Sequence, residues 1–303
     1  MLSFPPLITA MATPMQSDLS LDLDGAQRLA AHLVEHSSEG LVVAGTTGES
    51  PTLAHSETLD LFRAIVEAAG KDAMVIAGTG KNDTAATVAL TREATELGVD
   101  GILLVAPYYN RPSQRGLDRH FRMAAEATDL PVLLYNIPGR TGVEIAPQTL
   151  LRLAEEVPNI RGVKDAVGDL AKTAWLAARA PQGFGIWAGD DAATLPMLAV
   201  GGVGAVCVAS HLVGPDVARM IEQFPTDPVK AREIHHRLLP LFTTLMTADT
   251  SPGPLKAALG LLGLPAGPLR PPLIDADDEV KAAVRAALVA AGVQVTPEPS
   301  VQR

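Results

Sequence analysis

The chain has 303 residues, 47% of them hydrophobic and 19% charged, enough for one large or two ordinary domains around a sizeable core. With 24 Lys and Arg against 34 Asp and Glu the formal charge is −10, which argues against nucleic acid or an anionic lipid surface as a partner, since both attract basic patches. Its one cysteine, Cys207, cannot close an internal disulfide and reads as a small buried apolar residue, so nothing calls for an oxidising compartment.

The first residues, MLSFPPLITAMATPM, carry no Lys or Arg ahead of their apolar stretch and are broken by prolines, unlike a secretory signal; the expected location is cytoplasmic. From there, short apolar runs alternate with helical patterns. Strands are expected at 7–11, 41–44, 74–77, 101–106, 132–136, 160–164, 185–188 and 204–209. Amphipathic or Ala-rich helices are expected at 24–36, 56–69, 84–97, 114–127 and 147–155. The stretch 192–215 holds no Asp, Glu, Lys or Arg and is long enough for a membrane span, but its glycines and prolines divide it into a helix at 194–200, a Gly201-Gly202 break and a strand. Eight strand and helix units predict a closed (β/α)8 barrel of the TIM type over 1–224. An open doubly wound sheet would want a phosphate-binding glycine fingerprint after an early strand, and Gly45-Thr46-Thr47-Gly48 lacks that spacing. Past Phe224 the strands stop. Helices at 229–247, 255–262 and 277–291 predict a C-terminal helical extension over 225–295, followed by a polar tail at 296–303 expected to be disordered.

In such a barrel the chemistry sits where strands end and loops begin. Those ends read Gly45-Thr46-Thr47-Gly48-Glu49-Ser50, Pro107-Tyr108-Tyr109-Asn110, Tyr135-Asn136-Ile137-Pro138-Gly139-Arg140, Lys164 and Gly189-Asp190-Asp191. Taken singly, each has an ordinary explanation. A strand-end lysine is usually a solvated loop residue, Tyr109 and Tyr135 could be core, the threonines and Gly189-Asp190 could be turn residues, and Arg140 could sit in a surface turn. Position favours chemistry for Lys164. It follows Val163 on a strand covered on both faces, where withdrawal from water favours the neutral amine that attack on a carbonyl needs. The Arg140 fork, in turn, is the natural clamp for a carboxylate.

At these residues the sequence resembles the dihydrodipicolinate synthase (4-hydroxy-tetrahydrodipicolinate synthase) family, within the pyruvate-dependent class I aldolases that include N-acetylneuraminate lyase. The likeness runs from Leu7 to about Leu273, through Ile8-Thr9-Ala10-Met11-Ala12-Thr13-Pro14, the Gly45 to Ser50 and Pro107 to Pro112 segments, Tyr135 to Gly142, and Gly162-Val163-Lys164-Asp165. The resemblance implies a Schiff base between Lys164 and pyruvate, an enamine, and its addition to L-aspartate 4-semialdehyde in lysine (diaminopimelate) biosynthesis. It implies Tyr135 as proton shuttle, Thr47 as its hydrogen-bonded link, and Tyr109 completing the relay from the neighbouring subunit. Thr46, Thr47 and the Val206 backbone would hold the pyruvate carboxylate with Gly189 close by, and Arg140 the semialdehyde carboxylate. It further implies a homotetramer built from tight dimers, and no metal or organic cofactor.

The departures are modest. Val206-Cys207 stands where many relatives have Ile-Ser, and Ser251-Pro252-Gly253-Pro254-Leu255-Lys256 replaces Asn-Pro-Ile-Pro-Val-Lys. A lysine effector pocket in the family matches Ser50, Pro51, His55, Asn82 and Tyr108, but its carboxylate and second histidine read Ala86 and Thr58 here, so weak or absent lysine inhibition is expected. Two alternatives differ in class: another pyruvate-dependent aldolase acting on a 2-keto-3-deoxy sugar acid or hydroxy-oxo-acid, and a non-catalytic metabolite-binding relative. No metal-ligand spacing appears, and His235-His236 reads as a solvated pair on an exposed helix face.

Overall fold

The computed structural model describes residues 3–295. In chain order the elements are β1 (Leu7–Ala10), α1 (Leu23–Glu35), β2 (Gly40–Val43), α2 (His55–Ala69), β3 (Met74–Gly78), α3 (Thr84–Glu96), β4 (Gly101–Val105), α4 (Gln114–Ala125), β5 (Val132–Asn136) and α5 (Pro138–Thr141). They continue with α6 (Pro147–Glu156), β6 (Ile160–Asp165), α7 (Leu170–Ala177), β7 (Gly185–Ala188), α8 (Thr194–Ala199), β8 (Gly204–Cys207), α9 (Ser210–Gln223), α10 (Pro228–Thr247), α11 (Gly253–Leu261) and α12 (Asp278–Ala291). The strands pair in parallel in sequence order, and β8 returns to β1 with Leu7 opposite Ala205 and Thr9 opposite Cys207, closing the barrel.

Both strand faces are dry, which explains the near-continuous apolar runs. Ile8, Val42, Ile76, Leu103, Leu133, Trp187 and Val206 fill the barrel, while Leu7, Leu41, Val75, Ile102, Leu134, Val163, Ile186 and Ala205 pack outward under the helices. The filling is uneven. Trp187 takes the space that Gly162 and Gly185 leave: a Cβ on either would lie 2.5 Å from its ring. Its indole N–H donates to Pro5 O at 2.8 Å, and Phe4 meets the ring edge-on at 5.8 Å, so the end nearer the chain's start is plugged and the other mouth stays free for chemistry.

Side-chain caps fix where several helices start. Asp22, Asp83, Ser113, Asp169, Asp227 and Asp277 each accept an N–H from the first turn of the following helix. After α9 the chain runs through α10, α11 and α12; α10 packs on α9 and α12, as the expectation of a C-terminal helical extension requires.

Three helices escaped the sequence reading. α5 is a single turn, α7 is short, and α9 is kinked at Val213 and carries Pro215 inside. The kink lets Gly214 pass against His36, whose carbonyl a Cβ there would meet at 2.2 Å. Among the described residues, no helix is long and apolar enough to cross a membrane. The solvated reading of His235 is wrong: it is buried beside Phe242 because α10 is covered on two sides, and only His236 is exposed. Cys207 is fully buried, as expected, and burial pushes its thiol up. The tail expected to be disordered lies outside the described residues.

Candidate active site

Strands β5 and β6 pair so that Tyr135 stands opposite Lys164. Since side chains alternate along a strand, Lys164 points into the barrel two residues after Gly162, and Tyr135 two after Leu133. Lys164 is 4% exposed, and its Nζ lies 4.3 Å from the centroid of the Tyr135 ring. Among the described residues no carboxylate lies within ion-pair distance of it. The adjacent Asp165 faces outward, accepting the Val167 N–H and the Thr173 hydroxyl, and burial raises its pKa. The contrast with Lys256 is instructive: that amine is equally buried but is paired with Glu49. A buried amine with no counterion is the kind of group that marks a candidate reactive site.

Because the strands are parallel, the loops after β2, β5, β7 and β8 leave the same end of the barrel as the loop after Lys164. Thr46 is half-buried and Thr47 buried in a turn closed by the Glu49 N–H on Thr46 O and the Ser50 N–H on Gly45 O. The Thr13 hydroxyl donates to Gly48 O at 2.8 Å, and a Cβ on Gly48 would sit 3.0 Å from that hydroxyl. Gly189 lies against the Lys164 stem, where a Cβ would be 3.2 Å from Lys164 Cγ. Val206 is fully buried inside the barrel with Tyr135. Beyond it Asp191, named from sequence only as a strand-end residue, accepts the Val208 N–H at 3.0 Å and the Ala209 N–H at 2.6 Å. It is fully buried and its pKa is raised by that burial. His211 adds a second brace, accepting the Ala12 N–H at Nε2, 3.1 Å away, with its Nδ1 2.7 Å from Val208 O. Burial pulls its pKa down to about 4, so the ring is neutral and Nδ1 donates to that carbonyl.

Arg140 is exposed on the α5 turn, and its guanidinium donates to Ser251 O at 3.4 Å. Asn136 sets that loop's path: its side chain accepts the Ile145 N–H and donates to Ile145 O. Tyr109, in the loop after β4, turns away from this chain's own mouth. The backbone takes φ 72° there and turns the ring out, 89% exposed, while the Tyr109 N–H donates to Thr141 O.

Of the residues matched to an effector pocket, Ser50 opens a short turn of helix, Asn82 accepts from the Asn110 side chain at its carbonyl, and Tyr108 is half-buried. His55 Nε2 lies 2.7 Å from Glu93 Oε2, a contact the sequence did not disclose. Thr58 is buried with its hydroxyl on Ala54 O, and Ala86 is exposed in the first turn of α3.

A closed barrel with an unpaired amine and a phenol at its carboxyl mouth defines a (β/α)8 enzyme. The chain belongs to the dihydrodipicolinate synthetase family, whose sequence profile matches residues 3–291. It is 52% identical over 288 residues to a 4-hydroxy-tetrahydrodipicolinate synthase of Moorella thermoacetica, covering 95% of this chain and 98% of that one. It is also 52% identical over 292 residues to the enzyme of that name from Symbiobacterium thermophilum, covering 96% and 99%. Among solved structures, that of the dihydrodipicolinate synthase of Cyanidioschyzon merolae with lysine bound superposes with a TM-score of 0.95 at 45% identity, covering 97% of this chain and all of that one.

Proposed function

We propose that this protein is a 4-hydroxy-tetrahydrodipicolinate synthase, a lyase that joins pyruvate to L-aspartate 4-semialdehyde in cytoplasmic lysine biosynthesis. The observation that carries the mechanism is Lys164, buried without a counterion over the face of Tyr135. Its amine attacks the ketone carbon of pyruvate, and loss of water leaves an iminium. The iminium then draws electrons from the methyl group, which gives up a proton to become an enamine. The enamine carbon bonds to the aldehyde carbon of the second substrate, whose oxygen takes a proton. That substrate's amino group then displaces Lys164 from the iminium, closing the ring and restoring the free amine.

Each proton needs a carrier close to the nitrogen. Tyr135 takes this part, with Thr47 as its link and Tyr109 of a second subunit completing the relay. An 89% exposed phenol held by a left-handed backbone has no role within one chain, which supports donation across an interface and an assembly of at least two subunits, a homotetramer of paired dimers on the family's pattern. Thr46, Thr47 and the Val206 backbone hold the pyruvate carboxylate, and Arg140 holds that of the semialdehyde. Gly189 leaves room for the Lys164 stem. The reading invokes no metal or organic cofactor.

The deciding experiment offers a pyruvate-loaded enzyme a panel of aldehydes. Turnover with L-aspartate 4-semialdehyde well above that with sugar-derived aldehydes supports the assignment, and the reverse order assigns the chain to another aldolase.

A further inference from the structure

The turn that carries Thr46 and Thr47 is gripped from outside the barrel. Glu49 occupies the left-handed region with φ 56°, a conformation that a non-glycine residue keeps only where its surroundings over-determine it. Its N–H donates to Thr46 O at 3.1 Å, and its carbonyl accepts from the Thr52 N–H and hydroxyl. Its carboxylate is buried against residues of the C-terminal region. Lys256 Nζ, on α11, lies 2.5 Å from Glu49 Oε1 and also donates to Pro268 O at 2.9 Å. The Arg270 N–H donates to Glu49 Oε2 at 3.0 Å. The Arg270 guanidinium meanwhile donates to Leu19 O, Thr52 O and both carboxylate oxygens of Glu57. The C-terminal side of the turn, at Glu49 and at Thr52, is therefore tied to α11 and to the chain between α11 and α12.

A buried ion pair is a poor source of stability, because desolvation consumes most of its Coulomb attraction; what it supplies is a fixed geometry. Lys256 shows the tension directly, its pKa lowered by burial while Glu49 opposes the shift. Here the geometry fixed is that of the catalytic turn.

We infer that Glu49 is a positioning residue for the pyruvate half of the reaction: the clamp of Lys256, Glu49 and Arg270 holds the Thr46-Thr47 turn at the mouth that contains Lys164 and Tyr135. The C-terminal helices are by this account part of the active site's scaffold. The inference rests on the role proposed above for Thr46 and Thr47.

The test compares Glu49→Gln, the double variant Glu49→Gln with Lys256→Met, and Glu49→Asp against the parent and Thr47→Val. For each, the thermal midpoint, the turnover, and the pyruvate concentration giving half-maximal borohydride trapping on Lys164 are measured. The double variant leaves no unpaired ion buried, so its midpoint is expected near the parent's. Its half-trapping concentration rises at least about fivefold and its turnover falls at least about tenfold, because the reacting groups lose their alignment. Glu49→Asp, which keeps the charge, recovers part of both. The inference is overturned if the double variant keeps the parent's half-trapping concentration and turnover, or if only the midpoint and the folded fraction drop. If the double variant does not fold, Glu49→Asp decides alone: a raised half-trapping concentration at the parent's midpoint supports the clamp, and an unchanged one refutes it. A Thr47→Val protein with parental trapping and turnover instead refutes the role given to Thr47, which separates the two failures.

Discussion

Lys164 Nζ lies 4.3 Å from the centre of the Tyr135 ring because the two residues are register partners on β6 and β5. The amine and the phenol are thus fixed relative to each other by a strand ladder rather than by mobile loops. Replacing the phenol with a ring of the same shape is expected to leave that ladder intact while removing the proton carrier. Tyr135→Phe should therefore fold like the parent, still trap pyruvate on Lys164, and lose roughly 10²- to 10³-fold in turnover. Steady-state kinetics with a thermal melt checks this, and near-parental turnover contradicts the proton role.

Gly189 and Lys164 make the second prediction. A methyl on Gly189 would sit 2.8 Å from Ala166 Cβ and 3.2 Å from both Asp165 O and Lys164 Cγ. Gly189→Ala is expected to push the lysine stem aside and lower turnover by about tenfold or more, since small displacements of a reacting group are costly. Gly162→Ala meets the Trp187 ring at 2.5 Å and the Gly185 carbonyl at 2.6 Å, so it should chiefly destabilise, by about 1–3 kcal/mol. Melting curves beside rate measurements distinguish the two effects.

The exposure of Tyr109 predicts shared active sites. Tyr109→Phe and Lys164→Arg should each be impaired alone, yet mixed assemblies made by co-expression should regain activity, because some sites then combine an intact lysine from one subunit with an intact phenol from another. No recovery in verified mixed oligomers contradicts the interface relay.

Stability should depend on pH through His211. Its pKa falls from 6.5 to about 4 on folding, because burial disfavours the charged ring. Between these values the unfolded chain takes up a proton that the folded one refuses. The contribution is therefore intact above pH 6.5 and is lost as pH falls towards 4, amounting to about 3 kcal/mol at the acid end. His120 is also pulled to about 4 by burial and acts with the same sign. Asp165 and Asp191, both raised above 3.8 by burial, act with the opposite sign, their contribution being lost as pH rises from 3.8 through their raised values. His211→Gln should flatten the slope between pH 6.5 and 4 in denaturant titrations, and an unchanged slope contradicts the assignment.

Lysine is expected to inhibit weakly or not at all. The effector's ammonium would meet no carboxylate at Ala86, and Thr58 spends its hydroxyl on its own helix. His55 is already engaged with Glu93. Ala86→Glu should raise lysine sensitivity by roughly tenfold, the order of an ordinary coupling between sites. Full inhibition of the parent by low lysine contradicts this.

Strand ends were readable in the sequence because parallel strands covered on both faces give short unbroken apolar runs, and the residue after such a run falls at the mouth. That logic put Tyr135 and Lys164 on neighbouring strands, where they are register partners, and Thr47 on the loop that follows β2. At Tyr109 it gave the strand end but not the direction of the ring, which a left-handed backbone turns outward without changing the run before it. It failed at His235 because helix periodicity marks a face without saying that α10 is covered on two sides. The bond between Glu49 and Lys256 joins residues far apart in the chain, each of which reads locally as an ordinary surface charge. Asp191 was legible as a strand-end residue but not as a brace, since its contacts are backbone donors in the loop after the next strand.

The most direct measurement incubates the protein with pyruvate, reduces with borohydride, and maps the adduct by peptide mass spectrometry. The account predicts one reduced pyruvate on the peptide containing Lys164, absent in Lys164→Arg, with activity lost in step with modification. An unmodified Lys164 in a protein that still turns over, or an adduct on another lysine, contradicts it.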